Sequence, residues 1–525
     1  MDGELNLVLL GSCLLLLVAV LAVRVSARTG LPVLLLYLGI GVAVGEAGLG
    51  VQFEDYQLTA DLGLLALAVI LAEGGLTTKV SHIRPVFGFA VVLSTLGVLA
   101  SVAVIAGLTV LLLDVDLRTA VILGAVVSST DAATVFSVLR KLPVKGRLRA
   151  TLEAESGLND APVIVLVSLA ASDEWGRTGV LESAALIGYE LAAGAALGVL
   201  VGIVGAWILA RLALPTAGLY PIATLALTLI AFTSAQALHA SGFLAVYLCG
   251  LVLGSAHLPH RRAVIGFVSS AALLAELGLF TLLGLLASPA RLPEALVDAL
   301  VVGAAATFVA RPLAVWLSAL GFRLPWREQA FLSWAGLRGA VPIVIAIIPV
   351  TEGLAGAERV VDVVFVLVVV YTLVQAPSIP RVGRLLGVID RGGASELDVE
   401  LTPMDNLAAD LLQVTVESDS QLRGVYVREL RLPVGARVVL VERAGASVPL
   451  DEHSQLLAGD HVLVVTPTVS REATERRIRA VNKGGKLARW YGREPLADDR
   501  AIPLRVSRAA RGRVPEGAPR QLGPR

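Results

Sequence analysis

The sequence predicts an all-α polytopic membrane protein with a small α+β domain appended after the membrane part. Three observations predict it. Of 525 residues, 56% are hydrophobic and 16% charged, with a mean hydropathy of +0.79; a soluble domain carries about a quarter charged residues. The apolar residues gather in blocks of about twenty, enough to cross a hydrocarbon core as helix, rather than in the roughly ten-residue alternating segments of a membrane β-barrel. The short polar connections between blocks alternate between basic and acidic.

Thirteen blocks meet the length requirement, near 5–26, 31–49, 57–75, 86–113, 119–140, 150–171, 183–211, 218–237, 241–257, 263–287, 294–319, 328–350 and 358–386. The first has no basic leader or small-residue cleavage site and reads as a retained helix. Alternate connections carry Arg24 and Arg28, Lys79 and Arg84, five basic residues from Arg140 to Arg149, Arg211, Arg261 and Arg262, Arg323 and Arg327, and Arg381 and Arg384. The intervening ones carry Glu54 and Asp55, Asp114 and Asp116, Asp173 and Glu174, and Glu352 and Glu358. The positive-inside rule makes the basic set cytoplasmic, so the N-terminus lies outside and the C-terminus inside a multi-pass inner (plasma) membrane protein.

Thirteen divides into six, one and six. An odd helix between two sets of six inverts the second set, the plan of inverted-repeat transporters, whose broken helices occupy matching places in the two halves. The fifth block is interrupted by Ser128-Ser129-Thr130-Asp131-Ala132-Ala133-Thr134 and the twelfth, fifth of its own set, by Gly336-Leu337-Arg338-Gly339-Ala340-Val341-Pro342. Both breaks carry a charge, which loosened packing alone does not explain. The transmembrane domain therefore covers 1–390. Residues 391–410 read as a linker, 411–468 as a small α+β module with alternating strands and Gly turns, and 469–525 as a basic tail, largely disordered apart from a short helix near Arg471–Ala480. From Arg471 onward there are 15 Lys and Arg against 6 Asp and Glu, a net +9. That suits anionic lipid better than nucleic acid, for which no recognition module is present.

The chemistry centres on Glu155-Ser156-Gly157-Leu158-Asn159-Asp160-Ala161-Pro162, which opens the apolar part of the sixth block. Charges at bilayer depth cost a few kcal/mol even on lenient scales, so each is a candidate functional group. Residues four apart share a helix face; Ser156 and Asp160 project together, and Glu155 shares a strip with Asn159. Carbonyls freed at Thr130-Asp131, a hydroxyl and a carboxylate form a hard oxygen site for Na⁺ or K⁺, unsuited to a transition metal. Asp160 can take up either a proton or a cation, and competition for one carboxylate suffices for exchange. Because Asn159 is an amide, one titrating group remains, implying one cation per proton. Glu73, near the inner end of the third block, is placed to line the route. Glu155 requires a counter-charge, and Arg311 or Arg338 supplies it. Glu276 is mid-span with no assigned role. Cys13 and Cys249 lie in apolar runs, implying neither a disulfide nor a metal site, and zinc-enzyme and P-loop signatures are absent.

These motifs resemble a known family. S-S-T-D-A-A-T-V at 128–135, E-S-G-L-N-D-A-P at 155–162, A-R-P at 310–312 and G-L-R-G-A-V-P at 336–342, in that order across roughly residues 5–386, resemble the NhaP-type monovalent cation:proton antiporters of the sodium/proton exchanger superfamily. The resemblance implies a homodimer with a mobile six-helix core. It implies that Asp160 binds cation and proton, with Ser156, Asp131 and the Thr130 carbonyl as neighbouring ligands and Glu73 assisting. It also implies that Asn159 marks the electroneutral branch, that Glu155 and Arg311 pair, and that Arg338 lies beside the crossed helices. L-L-Q-V-T-V at 411–416, R-E-L-R-L-P-V-G-A at 428–436 and A-G-D-H-V-L-V-V at 458–465 resemble the TrkA-C (RCK-C) domain. That implies a K⁺/H⁺ rather than a plain Na⁺/H⁺ antiporter, and a regulatory domain able to take a small ligand such as a cyclic dinucleotide. No cofactor is otherwise expected; without G-x-G-x-x-G, NAD is disfavoured. The alternatives are a Na⁺(Li⁺)/H⁺ antiporter, a ligand-gated cation channel and a membrane enzyme or receptor. No T-V-G-Y-G-like filter supports the channel, and no nucleophile–His arrangement supports the enzyme.

Overall fold

In the computed structural model, residues 3–485 are described except 30–31, 47, 52, 54, 132–133, 136–141, 143, 178, 213, 257, 390–398, 405–408, 417–419, 444–445, 449–453 and 468–469. The chain forms two compact units, dividing between Arg391 and Gly392.

The first unit is helical: α1 (Gly3–Thr29), α2 (Val33–Val44), α3 (Tyr56–Thr77), α4 (Phe87–Leu112), α5 (Leu117–Ser128), α6 (Gly146–Ala171), α7 (Val180–Arg211), α8 (Leu219–Ala237), α9 (Gly242–Ser255), α10 (Arg261–Leu286), α11 (Leu292–Ala319), α12 (Trp326–Ala335), α13 (Ala340–Thr351) and α14 (Ala357–Leu386). Each of the thirteen apolar blocks contains helix. Among the described residues, eight helices are long and apolar enough to cross a membrane, or nine if α12 and α13, bent by 56° at their break, form one span. Of the other apolar helices, Val33–Val44, Leu117–Ser128 and Gly242–Ser255 are shorter, and the 27-residue α1 carries an apolar stretch at Cys13–Ser26. For α5 the cause is local, because the helix stops at its own polar break. This is an integral membrane protein.

Helix starts follow capping chemistry. Asp55 accepts from Leu58 N at 2.8 Å to begin α3, and Asp116 from Thr119 N at 3.1 Å and Thr119 Oγ1 at 2.6 Å to begin α5. The Thr119 hydroxyl, aided by backbone N–H groups, holds the Asp116 carboxyl below the usual range although burial opposes it. Where helices cross closely, glycine is obligatory. A Cβ on Gly41 of α2 would stand 2.1 Å from Thr281 O of α10, so only a missing side chain lets the two backbones meet. The main core gathers α3, α5, α6, α13 and α14 around side chains such as Leu67, Ile122, Val163, Val344 and Val364. In contrast, α7 leaves Leu181, Leu200, Ile203 and Trp207 exposed, as a helix facing lipid does.

Among the described residues, three helices contain π-turns, in which one added residue widens the helix: Leu93–Gly97 in α4, Ala305–Ala310 in α11 and Tyr371–Gln375 in α14.

The second unit is an antiparallel sheet in the order β1-β2-β5-β3-β4, with β1 Val399–Met404, β2 Ala409–Thr415, β3 Arg437–Arg443, β4 Ala446–Val448 and β5 His461–Pro467. Alternation drives it: Leu412 and Val414 of β2 stand opposite Val464 and Val462 of β5, and all four are buried. Helix α15 (Arg471–Gly484) adds Ile478 and Val481 to the same core. Two expected boundaries therefore move. The stretch read as a linker, 391–410, contains β1 paired along its length with β2, and the helix expected near Arg471–Ala480 runs to Gly484 and packs on the sheet; residues 486–525 lie outside the described residues.

Asp460 secures this unit. It is fully buried and binds Arg443 through Nε at 2.7 Å and the terminal nitrogen at 2.8 Å, and it accepts from Leu457 N at 2.8 Å. Burial alone would raise its pKa. The Arg443 guanidinium and the Leu457 N–H outweigh that and hold it below the usual carboxylate range. A depressed folded-state pKa contributes stability above the unfolded value, which is lost as pH falls through the folded one. Asp460→Ala destabilises this unit by about 2 kcal/mol at neutral pH, and the deficit shrinks as the medium is acidified. Limited proteolysis of the full-length protein between neutral pH and pH 3 measures it; a deficit that grows on acidification contradicts this account.

Candidate ion-binding site

The site is built where two interrupted helices meet. Helix α5 ends as Ser128 Oγ turns back onto Gly124 O at 2.6 Å, and Ser129 is extended (φ −63°, ψ 142°). Across from it, α12 ends at Ala335 and α13 restarts at Ala340, leaving Gly336–Gly339 non-helical. The interruptions are tied by Asp131 N–H donating to Leu337 O at 2.9 Å.

Each break satisfies the other's helix end. The last carbonyls of a helix lack partners and carry partial negative charge. Arg338 supplies α5 with both a donor and a charge, Nε donating to Val127 O at 2.9 Å, while a terminal nitrogen donates to Gly336 O at 3.2 Å. Asp131 does the reverse at the N-terminal end of α13. Its Oδ2 accepts from Thr134 Oγ1 at 2.6 Å and fills the space a side chain on Gly339 would need, 1.7 Å from where that Cβ would stand. Any residue but glycine at 339 displaces this carboxylate.

The third wall is α6. Pro162 has no N–H for Leu158 O, and the helix breaks regularity at Asn159, where it divides into Gly146–Leu158 and Asp160–Ala171. Asp160 Oδ1 accepts from Ser129 Oγ at 2.7 Å. Thr130 Oγ1 accepts from Asn159 Nδ2 at 2.6 Å and lies 3.1 Å from Ser156 Oγ. All five residues are at most 1% exposed. Among the described residues, two oxygens here have no hydrogen-bond partner, Asp160 Oδ2 and Asn159 Oδ1. Buried polar oxygens are costly to leave without a partner, which sets these two apart from the paired polar groups around them.

The sequence-predicted residues thus separate into groups. Ser156 and Asp160 face the break, as expected from their spacing. Asn159 follows Glu155 by one helical turn, its N–H donating to Glu155 O at 2.9 Å, while its side chain joins Ser156 on Thr130. Thr130, anticipated through its carbonyl, brings its hydroxyl into the network. Glu155 turns to Arg311, forming a two-pronged pair whose second contact is 2.7 Å, with Glu155 0% and Arg311 4% exposed. Arg338 is thereby left to Val127 and to the ring of Tyr371, its Cζ 4.7 Å from the ring centroid. Glu73 on α3 accepts from Ser269 Oγ of α10 at 2.9 Å. Glu276, two turns further along α10 from Ser269 and half-buried, lies within electrostatic reach of both Glu73 and Asp131. Among the described residues no cluster of three His, Cys, Asp or Glu is arranged to hold a metal ion. Sequence reasoning missed Ser129 as the donor to Asp160, although it stood in the motif, and missed Tyr371, which looks like one more apolar residue in a Val-rich run.

A buried carboxylate with an open oxygen, set where two interrupted helices cross in an apolar bundle, belongs to the class of integral membrane proteins that hold ions at helix breaks. The chain belongs to the sodium/hydrogen exchanger family, in its NhaP-type branch: residues 14–385 match the family model for the sodium/hydrogen exchanger transmembrane domain, and residues 411–479 match the TrkA-C domain. It is 33% identical over 506 residues to the K(+)/H(+) antiporter NhaP2 of Shewanella oneidensis, covering 94% of this chain and 87% of that protein. It is 33% identical over 470 residues to the K(+)/H(+) antiporter NhaP of Alkalimonas amylolytica, covering 88% and 81%. Its fold matches the solved structure of the sodium proton antiporter MjNhaP1 from Methanocaldococcus jannaschii with a TM-score of 0.63 and 21% identity, covering 73% of this chain and all of that one.

Proposed function

We propose that this protein is a secondary antiporter that exchanges a monovalent cation, K⁺ in preference to Na⁺, for H⁺ across the cell membrane by alternating access. The observation that carries the proposal is the bare Oδ2 of Asp160, fully buried beside the bare Oδ1 of Asn159. An unpaired buried carboxylate costs several kcal/mol, and a proton or a small cation relieves that cost equally well but not together. Binding of one therefore expels the other, and a site that opens alternately to each side couples the two fluxes. Ser129, Thr130 and Ser156 supply the hydroxyl oxygens, Asp131 the second nearby negative charge, and Glu73 a carboxylate on the approach. With an amide at 159, one charge is exchanged for one charge, making transport electroneutral.

The preference for K⁺ rests on relatives named K⁺/H⁺ antiporters and on the TrkA-C domain. In the same reading the membrane part has thirteen spans as two inverted sets of six around α7, with the N-terminus outside and the C-terminal unit in the cytoplasm. That unit regulates exchange in response to a small ligand such as a cyclic dinucleotide. Two copies associate, and the protein serves cytoplasmic pH and cation balance.

Purified protein in liposomes, with an imposed inward-acid pH gradient and external K⁺, Na⁺ or Li⁺ added in turn, tests this. K⁺ dissipates the gradient at the lowest concentration, and clamping the membrane potential leaves the rate unchanged. A response to Na⁺ and Li⁺ alone refutes the K⁺ preference, and no response to any cation refutes antiport.

A further inference from the structure

Arg338 is buried at 2% exposure, yet among the described residues no carboxylate forms an ion pair with it. What holds it is the backbone at Val127 and Gly336 and the face of Tyr371. Tyr371 is itself fixed. Its hydroxyl donates to Gly303 O at 3.0 Å and lies 2.8 Å from Thr307 Oγ1. It opens the π-turn of α14, and Thr307 lies within the π-turn of α11. The two widened turns therefore meet through this hydroxyl and aim the ring at the guanidinium.

An aromatic face differs from a carboxylate as a partner for arginine. It attracts the cation through its quadrupole without cancelling the charge. Arg338 consequently keeps its full charge for the carbonyl end of α5, the segment that runs directly into Ser129 and Thr130. We infer that Tyr371 is a positioning residue for the ion site: it holds Arg338 on Val127 O, which fixes where α5 ends and so where Ser129 and Thr130 meet Asp160, Asn159 and Ser156. This inference rests on the antiport reading above.

The test compares apparent cation KM and maximal rate, per inserted protein, for full-length wild type, Tyr371→Leu and Tyr371→Phe in the liposome assay. Leucine removes the ring, and the apparent KM rises at least about threefold while the maximal rate changes less. Phenylalanine keeps the ring and loses only the hydroxyl that aims it, so its KM lies between those of wild type and Tyr371→Leu. A loss of rate with unchanged KM in Tyr371→Leu marks a merely structural role and overturns the inference, as does a phenylalanine variant as impaired as the leucine one. If Tyr371→Leu does not reach the membrane, Tyr371→Met gives the same ring-free comparison with more of the volume filled. Wild type without exchange defeats the antiport reading itself; wild-type exchange with indistinguishable KM values defeats only the role of Tyr371.

Discussion

Asp160→Asn abolishes cation-coupled proton movement, bringing gradient dissipation in liposomes to the level of protein-free vesicles, while the protein still folds and inserts. The argument is local. The amide keeps an oxygen to accept from Ser129 Oγ, now 2.7 Å from Oδ1, so the contact between α6 and the break survives. What disappears is the carboxylate that the proposed mechanism uses to exchange a proton for a cation. In alkaline, cation-free medium the wild-type carboxylate keeps its charge with Oδ2 unpaired at 0% exposure, and replacement by a neutral group there removes a desolvation penalty. The variant's thermal unfolding in detergent shifts upward, by an amount equivalent to about 1–3 kcal/mol. Preserved exchange would remove Asp160 from the mechanism, whereas lost exchange with a large fall in stability would show only damage to the fold.

Arg311→Met has the opposite signature, a large loss of stability from a residue outside the ion site. Glu155 is then left charged inside the bundle with no guanidinium across from it, and breaking a buried pair from one side costs about 3–5 kcal/mol. Glu155→Met strands Arg311 in the same way, between Leu332 O at 3.4 Å and Gly336. The double variant recovers most of the loss, since two apolar side chains of similar volume need no partners. Thermal unfolding of the four proteins closes a double-mutant cycle. Additive single losses would mean that the pair is not coupled, in conflict with its two-pronged geometry.

What the sequence made legible follows the expense of polar groups in lipid. Asp131, Glu155, Asp160, Arg311 and Arg338 stand out because an apolar run has no reason to contain them unless each is matched. Gly336, Gly339 and Pro342 mark the second break because they are poor helix residues in a chain otherwise rich in good ones. Partner choice was not legible. Helical periodicity assigns Glu155 a face, but whether Arg311 or Arg338 lies on the other side depends on how helices far apart in sequence pack. The reach of Asn159 was not legible either: it keeps its helical spacing from Glu155, with its N–H on Glu155 O at 2.9 Å, yet its amide goes to Thr130, just beyond the end of α5. Strand β1 was hidden for another reason: it contains Pro403 and follows an acidic stretch, features of a linker that an edge strand also tolerates. Tyr371 gave no signal, since its importance lies in which cation its ring meets.

The π-turns impose a condition on chain length as well as on residue type. Each contains one residue more than an α-helix of the same span, and removing it would turn everything beyond by about 100°. In α11 the π-turn Ala305–Ala310 falls between Asp298, bound to Arg359 at 2.9 Å, and Arg311, bound to Glu155. Both sides of the π-turn are thus anchored, and the phase between the anchors is set by a count of residues. Substitutions within Ala305–Ala310 can be absorbed by repacking. A single-residue deletion there cannot, because either Asp298 or Arg311 must then face the wrong neighbour.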